Sequence, residues 1–334
     1  SMNLVKLIFS YDRPLQLWGL VQSLLDNSDL APAQIHCICK SSTLAFRQAY
    51  AVVGRELGCC IVHENRLLPG VDIRHLLKVA SHPGLRRRLN TFLNSLNRHA
   101  LLELIRIHAA PADYVSLAVD DMVCFRRASF ARASQILGDH PEICLWSWRI
   151  GQDLQSGPIQ ITTEDYWTIA HADAPMPYSY IFHTDGSVFR KTDLLYWLDL
   201  LPVATQNSLT LNVIEAKLAQ YGELHRADLA IGPLHAGPMQ QACITWQLNK
   251  VTLSSSTAYT KTELTDPYHL LALFRSGTRL NYRPLYNHTD WISALNKASS
   301  VNPTHVAPDP LAVTVWSQAL ISGSQNGYFI HQRD

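Results

Sequence analysis

No apolar run in the 334 residues approaches the length of a membrane span, and the first residues lack the charged-then-apolar pattern of a secretion signal. The reading is therefore a chain with no transmembrane segment. Charge of one sign is missing too: 28 Lys and Arg against 27 Asp and Glu leave a formal net charge of +1. A strongly electrostatic nucleic-acid binder is excluded by that balance, because such binding rests on neutralising many phosphates. Any basic patch must be local. The seven cysteines include no Cys-x-x-Cys pair. Vicinal Cys59-Cys60 and alternating Cys37/Cys39 read as small core residues, and free buried thiols point to a reducing, cytoplasmic compartment, with a peripheral place at the inner face of a membrane left open. The fifteen histidines lack paired ligand spacing beside an acid, so no zinc centre is expected. Internal repeats and low-complexity segments are absent.

What is present describes an ordered globular protein: 47% hydrophobic and 16% charged residues. Strand-like runs (Leu4–Ser10, Gln34–Cys39, Cys59–His63, Tyr114–Val119, Ile143–Ile150) alternate with helical periodicities from Pro14, over Leu44–Leu57, through Leu76–His108 and over Ser129–Leu137. That alternation calls for a mainly parallel sheet flanked by helices, with right-handed crossovers. Loop-rich Gly151–Pro177 is the kind of segment that borders active sites. Ser254-Ser255-Ser256-Thr257 reads as a loose linker. The expected organisation is one catalytic domain over residues 1–257 and a small C-terminal helical extension and tail over 258–334, packed on it.

The most informative residues are Asp120 and Asp121, two adjacent acids ending the apolar run Leu117-Ala118-Val119. In open α/β sheets ligands bind at the carboxyl ends of the strands. Two acids held together repel, and a divalent cation with its phosphate ligand relieves that repulsion. The pair can equally be a helix N-cap followed by a solvated turn acid. A second corner lies at the start of the chain, where strand Leu4–Ser10 meets the polar turn Tyr11-Asp12-Arg13 and a helix opening at Pro14. A strand, a turn and a helix N-terminus together make an anion-facing corner.

With these two motifs in this order, the chain resembles the nucleotide-sugar glycosyltransferases of the GT-A fold, especially the broad, largely bacterial family 2 group. Those open with a strand, a Thr/Ser-Tyr-x-Arg-Pro-like turn and a helix, and carry an Asp-x-Asp-type motif at a later strand end. The collinear series continues through Tyr166-Trp167, Asp185-Gly186-Ser187-Val188-Phe189-Arg190, Asn212-Val213-Ile214-Glu215, Gln247–Val251 and Leu273–Arg279, covering roughly residues 3 to 285. The resemblance implies a Rossmann-like GT-A sheet. It also implies transfer of a sugar from a nucleoside diphosphate to an acceptor hydroxyl in surface-glycan biosynthesis, on a glycan, lipid-linked or small-molecule acceptor. It assigns Asp120 and Asp121 to Mn²⁺ or Mg²⁺, with His235 (or His183) completing the metal site, and Ser10, Tyr11, Arg13, Arg86 and Asp120 to the nucleotide sugar. An inverting reaction needs a carboxylate base. Asp185 is the first candidate, Glu215 the second, and Glu164 and Asp165 are further contenders. Two departures stand out: Met122 replaces the third-position acid, and Lys40-Ser41-Ser42 follows the second strand where the family often has a base-reading Asp. A nucleotidyltransferase is the rival enzyme class, but Ser10–Pro14 contains none of the glycine of its phosphate loop. A non-catalytic binding protein on the same fold is the other alternative.

Overall fold

Strand β1 (Leu4–Tyr11) is buried along nearly its whole length and alternates between two cores. Leu4 and Ile8 join one cluster, and Val5, Leu7 and Phe9 join the other. A strand covered on both faces must lie mid-sheet, and its near-continuous apolar sequence is the signature of that position. Lys6 interrupts the run. It is fully buried, and burial lowers its pKa to about 8. Its Nζ donates to Ser116 Oγ (2.8 Å) and the Leu117 carbonyl (3.2 Å) on the neighbouring strand.

The computed structural model describes residues 3–64, 84, 101–151, 160–161, 165–170, 182, 184–201, 215, 217–220, 232–245, 266–283 and 286. After β1 come α1 (Pro14–Asn27), β2 (Ile35–Lys40), α2 (Leu44–Leu57), β3 (Cys60–His63), α3 (Leu101–Ala109), β4 (Tyr114–Val119) and β5 (Met122–Cys124). The order continues with α4 (Phe130–Asp139), β6 (Ile143–Ser147), β7 (Gln160–Ile161), β8 (Tyr166–Ala170), β9 (Ser187–Arg190), α5 (Lys191–Leu200), β10 (Leu234–Pro238), β11 (Cys243–Thr245) and α6 (Pro267–Arg275). Among the described residues a nine-stranded sheet runs β3-β2-β1-β4-β9-β6-β10-β8-β7, and a small ribbon pairs β11 with β5. Only β9 and β8 run against the others, so the sheet is large and mostly parallel. Helices α1, α2, α4 and α6 cover one face, while α3 and α5 cover the other. The expected α/β architecture is the one observed.

Reversal of β9 matters most for the site. It enters antiparallel between β4 and β6, with Ser116 opposite Val188 and Trp146 also opposite Val188. Its first residues therefore stand at the edge where β1, β4 and β6 end. Gly186 ties that start down, its N–H donating to Leu117 O (3.0 Å) and its carbonyl accepting from Trp148 N (3.1 Å).

Residues 267–282 pack into the core of the larger face: Leu270, Leu271, Phe274, Leu280 and Tyr282 belong to the cluster built on α1 and α2. Arg279 forks onto Glu56 of α2 (both contacts 2.7 Å), and Trp18 Nε1 of α1 donates to the same carboxylate at 2.9 Å. Gly19 marks the close approach, since a Cβ there would lie 2.7 Å from the Tyr282 ring. No helix of the described residues is long and apolar enough to cross a membrane.

Candidate active site

Chain direction alone brings four acids to one edge. Asp120 and Asp121 follow β4, and Asp120 N donates to Phe9 O, which keeps the pair level with the end of β1. They form the turn into β5. Helix α4 begins only at Phe130 and is capped by Ser129, whose Oγ accepts from Arg132 N. The N-cap alternative for the acids is thereby removed. Asp185 precedes β9 across the same edge. Glu215, which falls in a helical turn, reaches back so that its Oε1 accepts the Thr184 N–H at 2.9 Å. The two base candidates, far apart in sequence, are thus neighbours.

The first turn is built around Asp120. Ser10 Oγ donates to Asp120 Oδ2 (2.7 Å), Tyr11 N donates to the same oxygen (3.3 Å), and Arg13 Nη1 donates to Oδ1 (2.9 Å). Because the Ser10 proton goes to the carboxylate, Tyr50 OH, 2.7 Å away, must donate to Ser10 Oγ while accepting from Arg13 N at 2.9 Å. Asp12 takes the left-handed region (φ 53°), and its Oδ1 accepts from Ser42 N at 2.8 Å. An aspartate tolerates that conformation when its side chain bonds locally. Arg13 is the N-cap position of α1 but caps nothing with its side chain, which is turned into the acid pair.

Electrostatics follow from this burial. Arg13 Nη1 also reaches Asp121 Oδ2 at 3.2 Å, and the side chains of Arg13, Asp120 and Asp121 are 11%, 4% and 9% exposed. Burial works to lower the Arg13 pKa, and the two carboxylates outweigh it. Burial pushes the Asp121 carboxyl up to about 7, helped by Asp120 and Asp185 and opposed by Arg13. Glu215 is likewise pushed up to about 7, by burial first and by Asp185 second. Asp185 itself carries an ion pair, Arg149 Nη1 to Oδ2 at 2.6 Å. Arg149 follows β6 at the same edge. Four acids and two arginines therefore meet along this edge of the sheet, with two of the acids raised to near neutrality.

Several expectations need correcting. Ser10 and Asp120, assigned to the nucleotide, are buried and bonded to one another, so they shape the turn from within. His235 lies in β10, opposite Leu145 and Ile169, and is 1% exposed. Three strand steps separate β10 from β4, about 14 Å at the usual strand spacing, so His235 is not brought to the acid pair. Asp165 is exposed and pairs with Arg132 of α4 at 2.8 Å, apart from the ion pairs of the acid cluster. Arg86, His183 and Glu164 lie outside the described residues. Tyr11 is half-buried, with Lys40 Nζ 5.4 Å from its ring centre. Sequence reasoning missed Tyr50, Arg149 and Asp12. Tyr50 reads as one more apolar position of α2, and Arg149 carries no motif. For Asp12 a signal exists, since aspartate is a residue that a tight strand-to-helix turn favours.

The divalent cation implied by the resemblance needs several oxygen donors from this turn. Among the described residues no three His, Cys, Asp or Glu side chains stand together as a metal site. Both Asp120 oxygens and Asp121 Oδ2 are taken, and of the pair's four carboxylate oxygens Asp121 Oδ1 is the one with no hydrogen-bond partner among the described residues. Met122, in the third position, is buried beneath Gly186. These residues as placed do not fit a divalent cation.

No protein-family model matches the sequence, and no curated protein does. Similar solved structures include TarS of S. aureus, at 13% identity over 65% of this chain and 34% of that one (TM-score 0.34). TarS 1–349 in complex with UDP is similar at 11% over 72% and 58% (0.37). A mannosyltransferase of Pyrobaculum calidifontis in complex with GDP-Man and Mn²⁺ is similar at 12% over 98% and 82% (0.38). The chain thus spans about a third of the TarS structure.

Proposed function

We propose that this edge of the sheet is the active site of a glycosyltransferase that moves a sugar from a nucleoside diphosphate to an acceptor hydroxyl with inversion. The observation that carries the reading is the meeting of Asp185 and Glu215 beside the Asp120–Asp121 turn, because a donor pocket and a proton acceptor must face one another across the sugar carbon. Tyr11 would take the base, and the diphosphate would lie against the first turn of α1 beyond Pro14. Arg86 is retained as a candidate phosphate contact.

In the step itself the acceptor hydroxyl oxygen bonds to the anomeric carbon while its proton passes to a carboxylate. The bond from that carbon to the diphosphate oxygen breaks, and the electron pair leaves with the diphosphate. Of the two candidate bases, Glu215 suits the proton better. Asp185 is already engaged by Arg149, whereas a carboxyl titrating near 7 is matched to general-base work at neutral pH. Asp185 with Arg149 then orients Glu215 and the acceptor. Sugar, nucleotide and acceptor identity follow from loop shapes; a role in bacterial surface-glycan synthesis is part of the proposal.

A thermal-shift panel of nucleoside diphosphates, followed by turnover of the matching sugar nucleotides, tests the reading. One nucleotide should raise the melting temperature by several degrees, as saturating ligand does. No shift from any nucleotide would favour a fold retained without this function.

A further inference from the structure

We infer that Arg13 takes the place a divalent cation would hold between Asp120 and Asp121, and that the donor site works without a metal ion. The inference rests on the glycosyltransferase reading for its consequence, but its geometry stands alone. One nitrogen, Arg13 Nη1, lies 2.9 Å from Asp120 Oδ1 and 3.2 Å from Asp121 Oδ2, between the carboxylates as a bridging ion would. All three side chains are nearly removed from water. Arg13 is also held from behind: Pro14 starts α1 immediately after it, and its own N–H donates to Tyr50 OH at 2.9 Å. The same Tyr50 orients Ser10 onto the other Asp120 oxygen.

A cation entering here would have to displace a buried guanidinium and leave it unpaired, which is strongly unfavourable. It would gain the two oxygens the guanidinium vacates, Asp120 Oδ1 and Asp121 Oδ2, together with Asp121 Oδ1, and no third ligand residue among the described residues. Met122 in place of an acid belongs to the same arrangement, since a third carboxylate has no ion to bind. The charge that relieves the acid pair is therefore covalently part of the chain, single and permanent. A diphosphate approaching the turn meets carboxylates already compensated, and its binding does not wait on Mn²⁺ or Mg²⁺.

Two measurements test this on the full chain. Mn²⁺ alone is titrated and followed by electron paramagnetic resonance in wild type, Arg13→Ala and Arg13→Gln. Wild type should leave Mn²⁺ free, and both neutral variants should acquire a site. Arg13→Gln can still donate to a carboxylate, so it preserves the test if the alanine variant fails to fold. Calorimetry with UDP and GDP is then run in EDTA and in Mn²⁺. Wild-type affinity should be the same in both, and the variants should lose roughly tenfold in EDTA, about 1.4 kcal/mol, and recover with Mn²⁺. Mn²⁺ binding by wild type, nucleotide binding that needs Mn²⁺, or no Mn²⁺ site in either variant would each overturn the inference. If neither nucleotide binds, the glycosyltransferase reading is what fails, and the Mn²⁺ titration still decides the role of Arg13.

Discussion

In the bonds that hold them, Asp185 carries an ion pair and Glu215 does not, and this difference separates their proposed roles. Arg149 holds Asp185 at 2.6 Å, while Glu215 accepts from the backbone N–H and the side chain of Thr184, both neutral donors. Glu215→Gln should therefore lower turnover by about 10²–10⁴, the range for general-base catalysis, with nucleotide affinity unchanged. Asp185→Asn should lower it less, and the wild-type rate should rise with pH through about 7 as Glu215 ionises. If Asp185→Asn alone shows the larger loss, the assignments are exchanged. Asp121 offers a pH test of stability. Its carboxyl is raised from 3.8 to about 7, so the folded chain binds a proton that the unfolded chain has released. The stability from that proton is fully present below about pH 4 and is lost as pH rises through 7. Asp121→Asn should gain on wild type by about 1–3 kcal/mol between pH 5 and pH 8 in urea melts. An equal difference at both pH values would show the side chain ionised throughout.

At the level of elements, the turn into β9 carries the cleft. Gly186 has φ +76°, and a Cβ there would meet Met122 Cε at 2.9 Å. Methionine can shift, but a left-handed φ is strained for any residue with a Cβ, and the two bonds to Leu117 and Trp148 forbid the turn from relaxing. Gly186→Ala should cost about 1–3 kcal/mol and should also reduce turnover by displacing Asp185. A variant as stable as wild type would mean that the turn has another conformation available. The turn at Asp12 uses the opposite device, a side chain that bonds its own neighbourhood in place of glycine.

For the whole molecule, α6 and the residues after it stabilise the first corner of the site through α1 and α2. The Arg279–Glu56 pair is largely buried, with side chains 9% and 22% exposed, and Arg279 also donates to Phe274 O at 2.7 Å. Arg279→Met removes one charge and leaves the other buried, so a loss of about 3–5 kcal/mol is expected in chemical denaturation. A loss under about 1 kcal/mol, the scale of surface pairs, would mean that water reaches this pair. Truncation after residue 265 would remove Leu280 and Tyr282 and uncover Gly19 of α1 and Phe46 of α2 beneath the lost segment, and the shortened chain is expected to be insoluble. We therefore propose that the C-terminal extension is part of one folding unit with the sheet.

Local chemistry determined a good deal unaided. Apolar runs, helical spacing and turn residues placed helix 44–57 and strand 114–119 at their observed bounds, and put α1 at Pro14, because each depends on neighbours within a turn or two. The acid pair at a strand end and the polar turn before Pro14 were legible for the same reason. Long-range pairing was not. The reversed entry of β9 decides that Asp185 faces Asp121, and no nearby residue encodes a strand's direction in the sheet. Short β5 and β11, three residues each, were invisible until they paired with one another. His235, expected to complete a metal site, is by packing a core residue of β10. Arg13, read as a phosphate ligand, turned inward because two buried carboxylates attract a guanidinium more strongly than water does. Sequence alone decided which residues could do chemistry; tertiary structure decided which of them meet, because burial and charge compensation depend on neighbours a hundred residues away.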